Sequence, residues 1–407
     1  PHHVFVRRSP CQRTELEAPG DPDRRVFTRL AGMGKALYKI FFRAGKRKIH
    51  VMYGPSKKHV TYGSAGQKQG CHFVYSIIRL LHQGWKDSAG REIAAPFSSA
   101  LLAESPLAPG VPLGPPSGEV PWLEGSAAGA PVPLYLAGAS TSSLDLAHAL
   151  TAFGEFPEWG SVVAHMQSSG RGQLRRHWIS PPGNLYAALR LPLQGVFASG
   201  AASLAVGALL AEGLNAAGYP VFLKWPNDLL QRGSAEAPHA WRKIGGILLE
   251  ERDGTLIAGI GINLASAPCS SLLREEHAFP AGPLCPPLLL PSAQHHVEQG
   301  FGQVFTLWRS LVEHIFFCYT QKISSAGMIS DGEDWWFNMV SACLAFRRQP
   351  VRLVNAQPAS GEKCPELVEG IMEGIDGDGA LCLATERGRE KFIGGSLAPM
   401  RKADSKR

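Results

Sequence analysis

Apolar residues recur along this chain with two periods, and the change from one to the other marks out its elements. Short apolar runs at 133–137 (PLYLA), 161–167 (SVVAHMQ), 184–192 (NLYAALRLP), 221–226 (VFLKWP), 243–252 (KIGGILLEER) and 255–264 (TLIAGIGINL) are bounded by Gly, Pro, Asn and Ser, which predicts strands. Helical spacing begins at about Ser143, with Ser and Thr available to cap it, and a long apolar stretch from about Ala198 to Ala217 predicts a second helix. Residues 299–323 and 331–346 read as further helices, with a Pro-rich connection at 265–298. Beyond Val351 the pattern returns to four or five short strands with a DGDG turn at 376–379, which suits a small β-barrel. Mostly strands around one long helix imply an α+β fold rather than a helical bundle.

The pattern is less regular ahead of residue 133. The basic segment at 25–54 has room for one helix and one strand, and GCHFVYSIIRLLHQGW (70–85) reads as a helix. Residues 98–132 shift to Ala, Gly, Pro and Ser and read as a linker. The expected division is therefore a basic extension of unknown fold at 1–97, a linker at 98–132, a main domain at 133–346 and a small C-terminal domain at 347–407.

Charge sharpens that division. Residues 1–97 carry 18 Lys and Arg against 6 Asp and Glu, a net of +12, whereas the remainder is −5. Such basicity permits phosphate-backbone contact, yet no convincing helix-turn-helix pattern accompanies it, so nucleic-acid binding and a poorly ordered extension both stay open. The most apolar region, 195–223, is interrupted by Glu212, Asn215 and several glycines, which fits a core helix better than a membrane span. Eight cysteines without a CxxC pair, and no visible signal peptide, point to a reducing, cytoplasmic setting.

Several strands end in chemistry. The loop GRGQLRR (170–176) offers unhindered main chain at Gly170 and Gly172 and sets Arg171, Arg175 and Arg176 within reach of anionic oxygens. KWPND (224–228) ends a strand in Asn227 and Asp228, Lys243 stands just before the Gly245-Gly246 pair, and GIGIN (259–263) ends in Asn263. Taken singly, each is compatible with an ordinary solvated turn.

Their order and spacing decide the matter: Ser140-Thr141, Gln167 with Gly170-Arg171-Gly172, Trp178 ahead of SPPGNLY, KWPND, Lys243 with GGIL, then GIGIN. This set resembles the bacterial biotin protein ligase family, strongly over about 134–264 and weakly from about 351. The resemblance implies a mixed-sheet biotin/lipoate ligase-like catalytic domain followed by an SH3-like barrel. It also implies ATP, with Mg²⁺, as cosubstrate, biotin as substrate, and a biotin carboxyl carrier domain as acceptor. Carried over residue by residue, Ser140, Thr141, Gln167, Gly170, Arg171, Gly172, Gln173, Lys243, Gly246 and Gly259 fall to biotin. Arg171, Trp178, Asn227, Asp228, Lys243 and Asn263 fall to ATP. Lys243, Arg171 and Asp228 are the expected catalytic groups, Asp228 being able to take the incoming lysine's proton. The 170–176 loop becomes the segment that orders over the adenylate. Two departures stand out: Ser142 where the family often has Asn, and neutral Gln173 where a cation is common. The stretch between Asp228 and Lys243 also looks like a surface insertion. A lipoate ligase is the nearest rival, disfavoured by the intact GRG and KWPND pair; a biotin-responsive repressor and a homodimer are further alternatives.

Overall fold

The computed structural model describes residues 7–8, 14–17, 24–30, 37–43, 49–53, 60–61, 75–81, 83–86, 90–97, 122–131, 133–232, 241–269, 279–285, 301–326, 335–361 and 365–400. The expected insertion core at 233–240, most of the 98–132 linker and most of the 265–298 connection lie outside them. Compact units divide at Cys71 and His72.

The first unit, taken by itself, is an antiparallel sheet of β1 (Arg7–Arg8), β2 (Thr14–Glu17), β3 (Arg24–Leu30), β4 (Leu37–Arg43), β5 (Ile49–Tyr53) and β6 (Val60–Thr61), paired in chain order. The expected helix within 25–54 is replaced by strands. RRVFTRL, LYKIFFR and IHVMY are rich in β-branched and aromatic residues, which favour a pleated surface over a helix.

The second unit is built on a mixed sheet of eleven strands among the described residues. These are β7 (Tyr75–Leu81), β8 (Trp85–Lys86), β9 (Glu92–Ala94), β10 (Trp122–Pro131), β11 (Pro133–Ser140), β12 (Ser161–Gln167), β13 (Leu185–Leu191), β14 (Val221–Lys224), β15 (Asp228–Arg232), β16 (Trp241–Arg252) and β17 (Thr255–Ile262). Across the sheet the order runs β10-β7-β11-β12-β13-β17-β16-β15-β14, with β9 joined to both β11 and β8. Two expectations are corrected here. The predicted helix at 70–85 is strand β7, because Ile77 and Ile78 suit a strand and β10 and β11 supply pairing on both sides. Ten residues of the expected linker form β10, antiparallel to β7, so the sheet ignores a boundary at residue 97.

Helices cover both faces. The Ser143–Ala152 helix buries Leu144, Leu146, Ala147 and Leu150 against Tyr135, Ala137, Val162, Ala188 and Ile257. On the other face, the Ala202–Ala216 and Phe301–Ala326 helices pack Leu204, Leu209, Trp308 and Leu311 against Val163, Leu189, Ile247 and Ile260. Trp308 adds a polar fix, its indole donating to Ser161 Oγ at 2.9 Å. A fourth helix, Trp335–Cys343, leads into the closed SH3-like barrel of β18 (Pro350–Pro358), β19 (Leu367–Ile375), β20 (Leu381–Thr385) and β21 (Gly388–Pro399).

The barrel docks through its DGDG turn. Trp225 donates its indole N–H to the Gly379 carbonyl at 3.0 Å. Gly379 itself has φ +86°, and a Cβ there would lie 3.0 Å from Ala201 Cα, so both its backbone and its neighbour favour glycine.

Candidate active site

One row of directly paired residues crosses the sheet on the face of the Ser143–Ala152 helix. Ala137 faces Ala164, Ala164 faces Tyr186, Tyr186 faces Gly261, Gly261 faces Gly246, Gly246 faces Asp228 and Asp228 faces Lys224. Direct cross-strand partners point to the same side. The row therefore grades from methyl groups through a glycine gap to charge. A neighbouring row brings Ala188, Gly259 and Leu248 together.

The glycines are spaces already in use. A Cβ on Gly261 would meet the Trp178 indole at 2.7 Å, and one on Gly259 would meet Leu144 at 2.7 Å. Trp178 thus lies over the glycine gap, with the Lys243 ammonium 5.4 Å from its ring centre. The indole Nε1 is buried without a hydrogen-bond partner.

Lys243 reaches this face through a bulge. Leu229 pairs with Gly245 but Leu230 pairs with Lys243, leaving Ile244 as an extra residue. Strict alternation would send Lys243 to the face opposite Gly246; the bulge reverses that and puts Ile244 in the core instead. Lys243 Nζ then lies 2.5 Å from Asp228 Oδ1, while buried Lys224 Nζ lies 2.8 Å from Asp228 Oδ2. Burial alone would raise the Asp228 carboxyl, but the two ammonium groups outweigh it and hold it well below the usual carboxylate range. Both oxygens are engaged by cations. In this arrangement Asp228 fixes two ammonium groups, and it could take the incoming lysine's proton, the expected base role, only by releasing one of them.

The 170–176 loop is folded over itself. Trp178 N–H donates to the Gly170 carbonyl and Gly172 N–H to the Arg176 carbonyl, each at 2.8 Å, around a 3₁₀ turn at Gln173–Arg175. Leu174 at its tip has φ +55° and is 80 % exposed, an uncommon conformation for a branched residue. Gln173 is exposed. Arg171 reaches toward the Ser143–Ala152 helix: its guanidinium meets Asp145 at 2.5 Å and Glu250 at 3.1 Å. His148 and Arg252 join Glu250 at 2.9 and 2.6 Å. The His148 bond first, then Arg171 and Arg252, bring the Glu250 carboxyl down to about 2 against the opposing effect of burial. A cavity of about 760 Å³ opens here, lined by Arg91, Thr141, Asp145, His148, Ser169 and Arg171 among others. It borders the loop and holds neither Lys243 nor Asp228.

At the far end, Gln167 accepts from Ser143 N–H at 2.7 Å and donates to Ser180 Oγ at 2.9 Å. Thr141 Oγ1 donates to Asp145 at 2.8 Å. Ser142 caps the helix, its Oγ accepting from Asp145 N–H at 3.0 Å, a task serine performs as well as asparagine. Ser140, paired with Gln167 across β11 and β12, has a buried Oγ with no hydrogen-bond partner. Asn227 ties its amide to the Ile247 carbonyl at 2.8 Å. Asn263 leaves Oδ1 buried and unpartnered.

The structure therefore groups Lys243, Asp228, Trp178 and Gly246, sets Ser140, Thr141 and Gln167 at the other end of the sheet's edge, and turns Arg171 toward the helix. Sequence reasoning missed Lys224, Asp145, His148 and Glu250. Lys224 stood inside KWPND, and Glu250 follows Gly246 and Leu248 at the strand period, so both left a signal.

Residues 139–265 match the model of the Biotin/lipoate A/B protein ligase family, and residues 366–397 match the Biotin protein ligase C terminal domain. Biotin–(acetyl-CoA-carboxylase) ligase of Paracoccus denitrificans is 28 % identical over 249 residues, covering 58 % of this chain and 90 % of that protein. The bifunctional ligase/repressor BirA of Bacillus subtilis (strain 168) is 35 % identical over 139 residues, 31 % of this chain and 39 % of that one. Among solved structures, biotin protein ligase from Aquifex aeolicus in complex with biotin and ATP aligns at TM-score 0.45 and 19 % identity, over 66 % of this chain and 99 % of that chain. The first match alone would leave biotin and lipoate side by side; the second, on the small barrel, separates them, and in both parts the chain is similar to biotin protein ligases.

Proposed function

We propose that this chain is an ATP-dependent biotin protein ligase that forms biotinyl-5′-AMP and passes biotin to a lysine. In the first step a biotin carboxylate oxygen bonds to the α-phosphorus of ATP and pyrophosphate leaves. In the second, a lysine amine attacks the acyl carbon, AMP leaves, and the amine's proton passes to solvent or a base. The observation that carries the reading is the set of three buried polar atoms without protein partners, Ser140 Oγ, Trp178 Nε1 and Asn263 Oδ1, on the strands and loop that carry the family's motifs. Buried polar groups are normally paired, so such a set fits a polar ligand.

Each residue's role follows from what it can offer. Ser140 Oγ supplies a donor and acceptor for a ureido ring, with Gln167 and Thr141 already held in place beside it. Lys243, fixed by Asp228, faces negative charge growing on the α-phosphate, and with Lys224 the trio carries a net positive charge. Gly246 and Gly259 keep the floor low. For Arg171 to meet the carboxylate and phosphate it must leave Asp145 and Glu250, and the exposed loop tip suits that movement. Mg²⁺ is expected to arrive with the ATP phosphates; Asp228 has no open oxygen for it, and Asn263 Oδ1 and Asn227 stand closest in kind to what a hydrated cation needs.

The acceptor we propose is the biotin carboxyl carrier domain of a carboxylase. Among the described residues none of the helices is long and apolar enough to cross a membrane. The test is pyrophosphate release from ATP with biotin, with lipoate as control, followed by addition of carrier domain. Biotin-specific release and a biotinylated lysine are expected. Release with lipoate alone, or with neither, overturns the proposal.

A further inference from the structure

Behind the sheet, away from the catalytic face, the two long helices bring together three groups that the ligase reaction does not use. Glu212 projects from the Ala202–Ala216 helix, and His314 and Cys318 lie one turn apart on the Phe301–Ala326 helix. His314 Nε2 is 3.4 Å from Glu212 Oε2 and 3.5 Å from Cys318 Sγ, and Cys318 Sγ is 4.0 Å from Glu212 Oε2.

Those distances can be compared with a coordination shell. Zinc bonds of about 2.3 Å to sulfur, about 2.05 Å to nitrogen and about 2.1 Å to oxygen at tetrahedral angles place S and N about 3.6 Å apart, N and O about 3.4 Å and S and O about 3.6 Å. Two of the three edges match, and the third needs a few tenths of an ångström from a half-exposed carboxylate. The donor set also suits a borderline-soft divalent ion, since thiolate and imidazole together disfavour Mg²⁺ and Ca²⁺. The neighbouring helix makes room for the imidazole: a Cβ on Gly213 would lie 3.2 Å from His314 Cδ2, so glycine lets the ring sit against that helix.

We propose that Glu212, His314 and Cys318 bind one Zn²⁺ ion, with water in the fourth position, and that the ion staples the two helices behind the sheet. Binding releases the Cys318 thiol proton to solvent and leaves a thiolate on the metal. The site is structural, because the opposite face carries the ligase groups.

The test uses the full chain, stripped with chelator and titrated with Zn²⁺ or Co²⁺ alone. The unsubstituted chain is expected to show a Zn²⁺ equivalent that Cys318→Ser and His314→Gln both lose and Cys343→Ser keeps. Cys343 is the control, since its thiol bonds the Val340 carbonyl and stands outside the trio. Bound Co²⁺ should give a thiolate charge-transfer band, absent in Cys318→Ser, and Zn²⁺ should raise Tm only where the equivalent binds. The spectrum of the unsubstituted chain needs no variant to fold, and Glu212→Gln, at an exposed position, offers a mild third substitution that should weaken binding. No Zn²⁺ equivalent, an equivalent unchanged in all three variants, or a Co²⁺ spectrum without the thiolate band would each overturn the site.

Discussion

Asp228 holds two ammonium groups in a setting with little water, and the value of each partner depends on the other. Removing Lys243 leaves the carboxylate to Lys224 and withdraws a positive charge from the place where the α-phosphate is expected. Lys243→Ala should keep its fold and lower the rate of biotin-dependent pyrophosphate release by about 100-fold or more, as for loss of one transition-state donor. Full activity would remove Lys243 from the mechanism. At the other end of the site, Glu250 gives a pH signature. Its carboxyl stands at about 2 in the fold against an ordinary 4.5, so its stabilising effect is complete above 4.5 and is lost as pH falls toward 2. The urea midpoint of the unsubstituted chain should exceed that of Glu250→Gln at pH 7, and the gap should close below pH 4.5. A constant gap would show that packing, not charge, carries the effect. Much of this chemistry was legible at single residues, because GRG, KWPND and GIGIN keep their polar groups at strand ends. What surrounds Arg171 was not: Asp145, His148 and Glu250 come from a helix and a distant strand, and no local spacing announces their meeting.

Among the elements, the bulge at Ile244 shows why strand pattern alone misplaces a side chain. KIGGILLEER reads correctly as a strand, yet alternation counted from Leu248 assigns Lys243 to the wrong face; only pairing with β15 reveals the extra residue. Strand β15 itself, DLLQR, escaped notice because it is short and buried, with no alternation to count. The helix expected at 70–85 failed for a related reason: a short apolar run fits either period, and the available partners decide. Adjacent glycines on β16 allow a sharp test of the faces. A methyl on Gly245 would lie 2.7 Å from the Gly261 carbonyl oxygen, a main-chain atom that cannot step aside. Gly245→Ala should therefore cost about 1–3 kcal/mol in urea unfolding. Gly246→Ala meets its first neighbour, Trp178, at an ordinary 3.4 Å and should stay within about 0.5 kcal/mol, while raising the KM for biotin or ATP. Equal stability losses would contradict this assignment of faces.

For the whole molecule, the barrel and the ligase sheet share no strand pairing among the described residues; they meet at a turn, and their apolar cores are continuous. Gly379→Ala adds a methyl against Ala201 at a residue with φ +86°, which should loosen the barrel. Earlier proteolytic cleavage near 347–400, with the sheet core still protected, is the expected outcome; unchanged cleavage would show that other contacts hold the barrel. A different consequence lies in the row from Ala137 to Lys224. Read across the sheet it runs 137, 164, 186, 261, 246, 228 and 224, so its middle joins an early strand to the last one made. During synthesis each half of the floor can assemble on its own, one before residue 191 and the other after 221. Neither half has the glycine gap next to Tyr186 until β17 leaves the ribosome and takes its place between β13 and β16. A ligase stopped short of residue 262 is therefore not a weaker catalyst but a chain with two unconnected half-floors, and activity arrives late and all at once.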